Sequence, residues 1–98
     1  MFTGILTLDV LLGDVHSLKE KRGVVRPVVA ELRRKFEVSA AEVGHVELHR
    51  RALLGVAVVG STAEHCRDVL DGCERTVAAR PELELLSARQ QLIGEEDE

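Results

Sequence analysis

Phe2-Thr3-Gly4-Ile5-Leu6-Thr7-Leu8-Asp9-Val10-Leu11-Leu12 alternates with a period of two and then stops at Gly13-Asp14. Phe2, Gly4, Leu6, Leu8, Val10 and Leu12 fall on one face; Thr3, Ile5, Thr7, Asp9 and Leu11 fall on the other. That pattern predicts a strand with one face buried against a core. Directly afterwards Ser17-x-x-Glu20 has the spacing of a capping box, in which a hydroxyl and a carboxylate satisfy the free amides of a helix start. Leu18, Val25, Val28, Val29, Leu32 and Phe36 then recur at three, four and seven, so the helix is amphipathic and packs back on the sheet. Gly23 and Pro27 sit inside it, and because the apolar stripe keeps its phase across them, the expectation is one kinked helix, not two.

Working downstream, Val38 to Val43 reads as a second strand, Gly44-His45 as a turn or bulge, and Leu48 to Val59 as a third strand. The second half of that strand is apolar on both faces, as a central strand requires. Ser61-x-x-Glu64 predicts a second cap, and Ala63, Cys66, Val69, Leu70, Cys73 and Val77 the inner face of a second helix ended by Pro81. Leu83 to Ile93 supplies a last strand. The order βαββαβ is the split pattern of a ferredoxin-like α+β fold: four antiparallel strands, both helices on one face, the other face open. Residues 1–93 form one domain in this reading, and residues 94–98, Gly94 to Glu98, an acidic disordered tail.

Composition narrows the function classes. The 98 residues include two Phe and no Trp or Tyr, so the core is aliphatic and stacking on nucleobases has almost no side chains to use. No apolar run is long enough for a membrane span and no leader pattern opens the chain, which points to a cytoplasmic protein. Cys66 and Cys73 lie seven apart on one helix, about 10 Å along its axis, too far for a mutual disulfide; they are expected to be reduced core residues. Ser17 and Ser61 serve as caps, no strained nucleophile turn is present, and the chain is expected not to be an enzyme.

Charge is unevenly placed. Residues 16–36 hold seven of the thirteen Lys and Arg side chains against Glu20 and Glu31, a net +5 in a chain of net −4, so the rest carries −9. Lys19, Arg22, Arg26 and Arg33 fall within about 60° of one another on a helical wheel and form a cationic ridge. His16, Lys19, Lys21, Arg22, Arg26, Arg33 and Arg34 are therefore the candidate phosphate- or RNA-contacting residues, with the free amides of the helix start beside His16 as a further anion site. Lys21 is out of phase, close to the apolar face, where it must reach water or meet a carboxylate such as Asp9 or Asp14. A merely solvated helix face is the competing reading. His45, Glu47 and His49, spaced H-x-E-x-H, would share one face of a strand, but a fourth ligand and the helical zinc spacing are missing, so neither metal nor cofactor is expected.

His16-Ser17-Leu18-Lys19-Glu20-Lys21-Arg22, Val38-Ser39-Ala40-Ala41-Glu42-Val43-Gly44-His45 and Arg51-Ala52-x-Leu54-Gly55-Val56-Ala57-Val58-Val59 together resemble the YlxP-like family of small bacterial proteins, a domain of unknown function, over nearly the whole chain. The resemblance implies a ferredoxin-like fold. It also implies an RNA or ribosome connection, because members are often encoded among transcription and translation factors, and it offers no catalytic residues to transfer. His49 stands where an aromatic is common in the family, and Pro27 interrupts a helix that is usually continuous. The favoured expectation is a non-enzymatic accessory factor touching RNA or a ribonucleoprotein through phosphate contacts. Its rival is a homodimeric interaction or small-ligand module working through the open sheet face.

Overall fold

The computed structural model describes residues 1–94, and residues 95–98, most of the expected acidic tail, lie outside the described residues. The elements are β1 (Phe2–Leu12), α1 (Leu18–Lys35), β2 (Ser39–Gly44), β3 (Arg51–Gly60), α2 (Ala63–Ala78) and β4 (Leu83–Gly94). All pairings are antiparallel and the strands lie in the order β2-β3-β1-β4, giving the ferredoxin-like α+β fold. Gly94 belongs to β4, opposite Phe2, and not to the tail. No described helix is long and apolar enough to cross a membrane.

Strand parity decides where the core lies. Leu6, Leu8 and Val10 pair with Val56, Leu54 and Ala52, and all six are buried beneath the helices. Gly4 lies in the same row, and a Cβ there would come within 2.9 Å of Leu70 and 3.2 Å of Cys66, so its missing side chain lets α2 close on β1. Gly72 does the same for α1, because the Phe36 ring at its end rests where a Cβ would be, 2.8 Å away. Cys66 and Cys73 are both free and fully buried, and burial pushes the Cys73 thiol up from 9.0 to about 11. That thiol stays protonated at neutral pH.

Local signals explain the boundaries. The Ser17 hydroxyl accepts from the Glu20 amide at 3.1 Å and caps α1, while Glu20 Oε2 reaches back to the His16 amide at 3.1 Å. The second cap is Thr62, whose hydroxyl accepts from the His65 amide at 3.1 Å; Ser61 lies one residue too early, because the extended backbone ends at Thr62. Pro27 sits within α1, which continues unbroken to Lys35. Arg80 fastens the far side of this helix: it donates to Glu31 at 2.9 Å, to Glu82 at 2.9 Å and to the Pro27 carbonyl at 3.3 Å.

Lys21 is the buried exception, at 1% exposure. Its Nζ lies 2.7 Å from Glu42 Oε2 and donates to the His45 carbonyl at 2.6 Å, with the Val46 carbonyl at 3.5 Å. The partner is Glu42 and not Asp9 or Asp14. Asp9 projects from the face of β1 away from the helices, where Arg51 holds it, and Asp14 pairs with His16 at 2.8 Å. Glu42 follows buried Ala40 by two along β2 and so faces α1.

Two stability measurements check these assignments. Lys21→Ala leaves the largely buried Glu42 carboxylate and a loop carbonyl without their cation, so denaturant unfolding is expected to show a loss of about 3 kcal/mol, with Lys21→Met, Glu42→Leu regaining most of it; a loss below about 1 kcal/mol refutes the structural role. Gly23 is exposed, with nothing within 4 Å of the point where a Cβ would stand, so Gly23→Ala is expected to stabilise the helix by about 0.5–1 kcal/mol and raise Tm by a few degrees.

Candidate nucleic-acid interface

The sequence offers seven candidate phosphate contacts on and beside α1, and the structure divides them. Lys19, Arg22, Arg26 and Arg34 are exposed and make no hydrogen bond or ion pair among the described residues. Arg33 is exposed too, but its guanidinium donates from Nη2 to the Ala40 carbonyl at 2.6 Å, which holds it against β2. Arg22, Arg26 and Arg33 border one groove of about 540 Å³ between α1 and β2, floored by Val25, Val29, Ala30 and Ala41. The one acid that lines it among the described residues, Glu42, has its Oε2 2.7 Å from the Lys21 ammonium, so three guanidinium groups share the groove with a carboxylate already paired to another cation.

Lys21 and His16 do not join this set. Lys21 is enclosed and committed to Glu42 and the His45 carbonyl, so its charge is spent inside the fold. His16 sits beside Asp14, its amide bonds Glu20, and the Glu20 amide bonds Ser17; the helix start is thus furnished with this chain's own acceptors. An incoming phosphate would meet the Asp14 and Glu20 carboxylates there. Arg34 faces a second groove of about 660 Å³, shared with Lys35 and Ser39, at the other end of α1. Lys35 is drawn away, with Nζ 5.8 Å from the Phe36 ring centroid and 3.4 Å from Thr76 Oγ1.

The H-x-E-x-H residues are not strand neighbours. β3 begins at Arg51, three residues later than expected, because the register shifts between Glu42 and Gly44, and Arg50 is pinned by donating to the Leu12 and Gly13 carbonyls at 3.3 and 2.8 Å. His45, Glu47 and His49 therefore occupy the loop at 45–50, with His45 in a left-handed conformation at φ 56°. His45 Nε2 lies 3.9 Å from Asp9 Oδ2, and Arg51 grips Asp9 through two bonds of 3.1 and 2.6 Å. Sequence patterning does not reveal this charged cluster; the pairing of Leu11 with Arg51 brings it together across strands, and only the parity of Asp9 hints at it. No group of three or more His, Cys, Asp or Glu fit for a metal occurs among the described residues.

The second candidate surface is the sheet face turned away from the helices. Thr3, Ile5, Thr7 and Asp9 run along it opposite Val59, Ala57, Gly55 and Leu53. Val59, Val43 and Ile93 are exposed at 64%, 57% and 49%, well above what a packed aliphatic row shows. A shallow depression of about 560 Å³ is bordered by Ile5, Thr7, Val43, Gly55 and Ala57.

Known proteins resemble this chain over most of its length. Residues 3–90 match the family model described as "Protein of unknown function (DUF503)". The chain is also 30% identical over 81 residues to the "Uncharacterized protein YlxP" of Bacillus subtilis (strain 168), an alignment spanning 83% of this chain and 88% of that protein. With its sheet order and its split βαβ units, the chain belongs to the YlxP-like family of proteins of unknown function, DUF503.

Proposed function

We propose that this protein is a non-enzymatic accessory factor that contacts RNA, or a ribonucleoprotein, through the sugar-phosphate backbone along the cationic side of α1. The observation that supports this reading most is the α1–β2 groove: Arg22 and Arg26 are unpaired among the described residues, Arg33 is held in place by a backbone carbonyl, and the neighbouring Glu42 is neutralised internally. Lys19 extends the line by one turn and Arg34 lies just beyond its far end. Guanidinium groups suit phosphate because their donors are planar and permanently charged. With no Trp or Tyr and the Phe36 ring packed on Gly72, recognition falls to charge and shape, not base stacking.

A second reading is favoured by a separate observation, the exposed aliphatics of the open sheet face. Patches of this kind mark association surfaces, and a second copy would cover Val43, Val59 and Ile93. The two surfaces meet at β2, where Arg33 and Ala41 border both the groove and the open-face depression.

Both are measurable. An RNA hairpin carrying single-stranded flanks is expected to bind with affinity that falls steeply with salt, and Arg22→Glu with Arg26→Glu to weaken it more than about tenfold while reducing the salt slope by about 2; unchanged affinity and slope would remove the ridge as the contact surface. Light scattering at micromolar concentration is expected to give twice the chain mass, and Val59→Lys to restore the monomer without loss of stability. A monomer at every concentration leaves no role for a second copy.

A further inference from the structure

Resting on the RNA reading above, we infer that the α1–β2 groove receives one extended phosphodiester strand, so that the RNA bound is single-stranded and not duplex. The three guanidinium groups come from one helix and run in one line. At 1.5 Å rise per residue, Arg22 and Arg26 are about 6 Å apart along the axis and Arg26 and Arg33 about 10.5 Å. The step of about 6 Å is close to one phosphate interval of a single strand and the step of about 10.5 Å passes over one phosphate, so the line follows one backbone. Duplex RNA instead presents two strands across a wide shallow groove and asks for two separated sets of contacts. Outside residues 16–36 the described residues carry six Arg against eleven Asp and Glu, a net −5, so they offer the other strand of a duplex no excess of positive charge.

The floor of the groove supports the same choice. Val25, Val29, Ala30 and Ala41 are small or aliphatic, and the 540 Å³ above them suits sugar and backbone at van der Waals distance, not the breadth of a helix. Arg33 defines one end, because its bond to the Ala40 carbonyl fixes the guanidinium at the strand while leaving it exposed. Nothing on this floor reads a base edge, so the bases point outward and binding is indifferent to their identity.

Fluorescence anisotropy on the full chain tests this with three probes of equal length: an oligouridylate, an RNA duplex and an oligoglutamate. The oligouridylate is expected to bind at least about tenfold more tightly than either other probe, with a salt slope of about −2 for three phosphate contacts. Ala30→Phe fills the groove at unchanged charge, and since Ala30 is exposed the variant keeps the wild-type circular dichroism. It is expected to weaken the oligouridylate about tenfold. Equal or tighter duplex binding, or no effect of Ala30→Phe, overturns the single-strand inference and leaves the backbone-contact reading standing. Oligoglutamate binding as tightly as oligouridylate assigns the groove to an acidic polypeptide and overturns it as well. Failure of the flanked hairpin together with both RNA probes overturns the RNA reading itself.

Discussion

An ammonium group removed from water must have oxygen at its donors, and Lys21 obtains that oxygen from two separate parts of the chain. Glu42 belongs to β2 and the His45 carbonyl to the loop that follows, so one side chain fixes the start of α1, the outer strand and the return toward β3. The helix consequently lies along β2. Arg22 and Arg26, one and five residues after Lys21, are brought beside Ala41 by that placement. The cationic groove is therefore a by-product of a buried charge pair: the carboxylate that would otherwise quench it is turned inward to Lys21.

The sequence made the architecture plain because both periodicities are strong and consistent. β1 alternates over its whole length, and α1 keeps a single apolar stripe through Gly23 and Pro27, so the order of elements and the side on which the helices pack followed directly. The same alternation already contained the answer to the Lys21 partner. Asp9 is an odd-numbered residue of β1, on the face without helices, and so lies across the sheet from Lys21. What periodicity could not supply was the path of the 45–50 loop. The register shift after Glu42 and the anchoring of Arg50 to the Leu12 and Gly13 carbonyls are contacts between distant residues, and they moved His49 off the strand. The shift from Ser61 to Thr62 is of the opposite kind, a choice between adjacent hydroxyls decided by where extended backbone ends.

The candidate site was partly legible for the same reasons. A helical wheel places Lys19, Arg22, Arg26 and Arg33 together because their angular phase depends only on their numbers, and the structure keeps them on one side. The wheel says nothing of what stands opposite. Whether a cation faces water, a carbonyl or a carboxylate depends on β2 and on the first turn of α1, which is why Lys21 and His16 left the set while Arg33 remained in it with one bond already made.

The bond from Arg33 to the Ala40 carbonyl has a counterpart at the opposite side of the sheet. In β4, Ser87 pairs with Asp9 and Leu85 with Val10, so Leu86 is an extra residue without a partner on β1, and it stands 43% exposed. A strand at the margin of a sheet is a template on which another chain can polymerise through its main-chain groups. Here one margin has a carbonyl stoppered by a guanidinium and the other is kinked by an inserted residue. Both devices oppose the edgewise stacking of sheets into fibrils, which a chain rich in valine and leucine would otherwise invite.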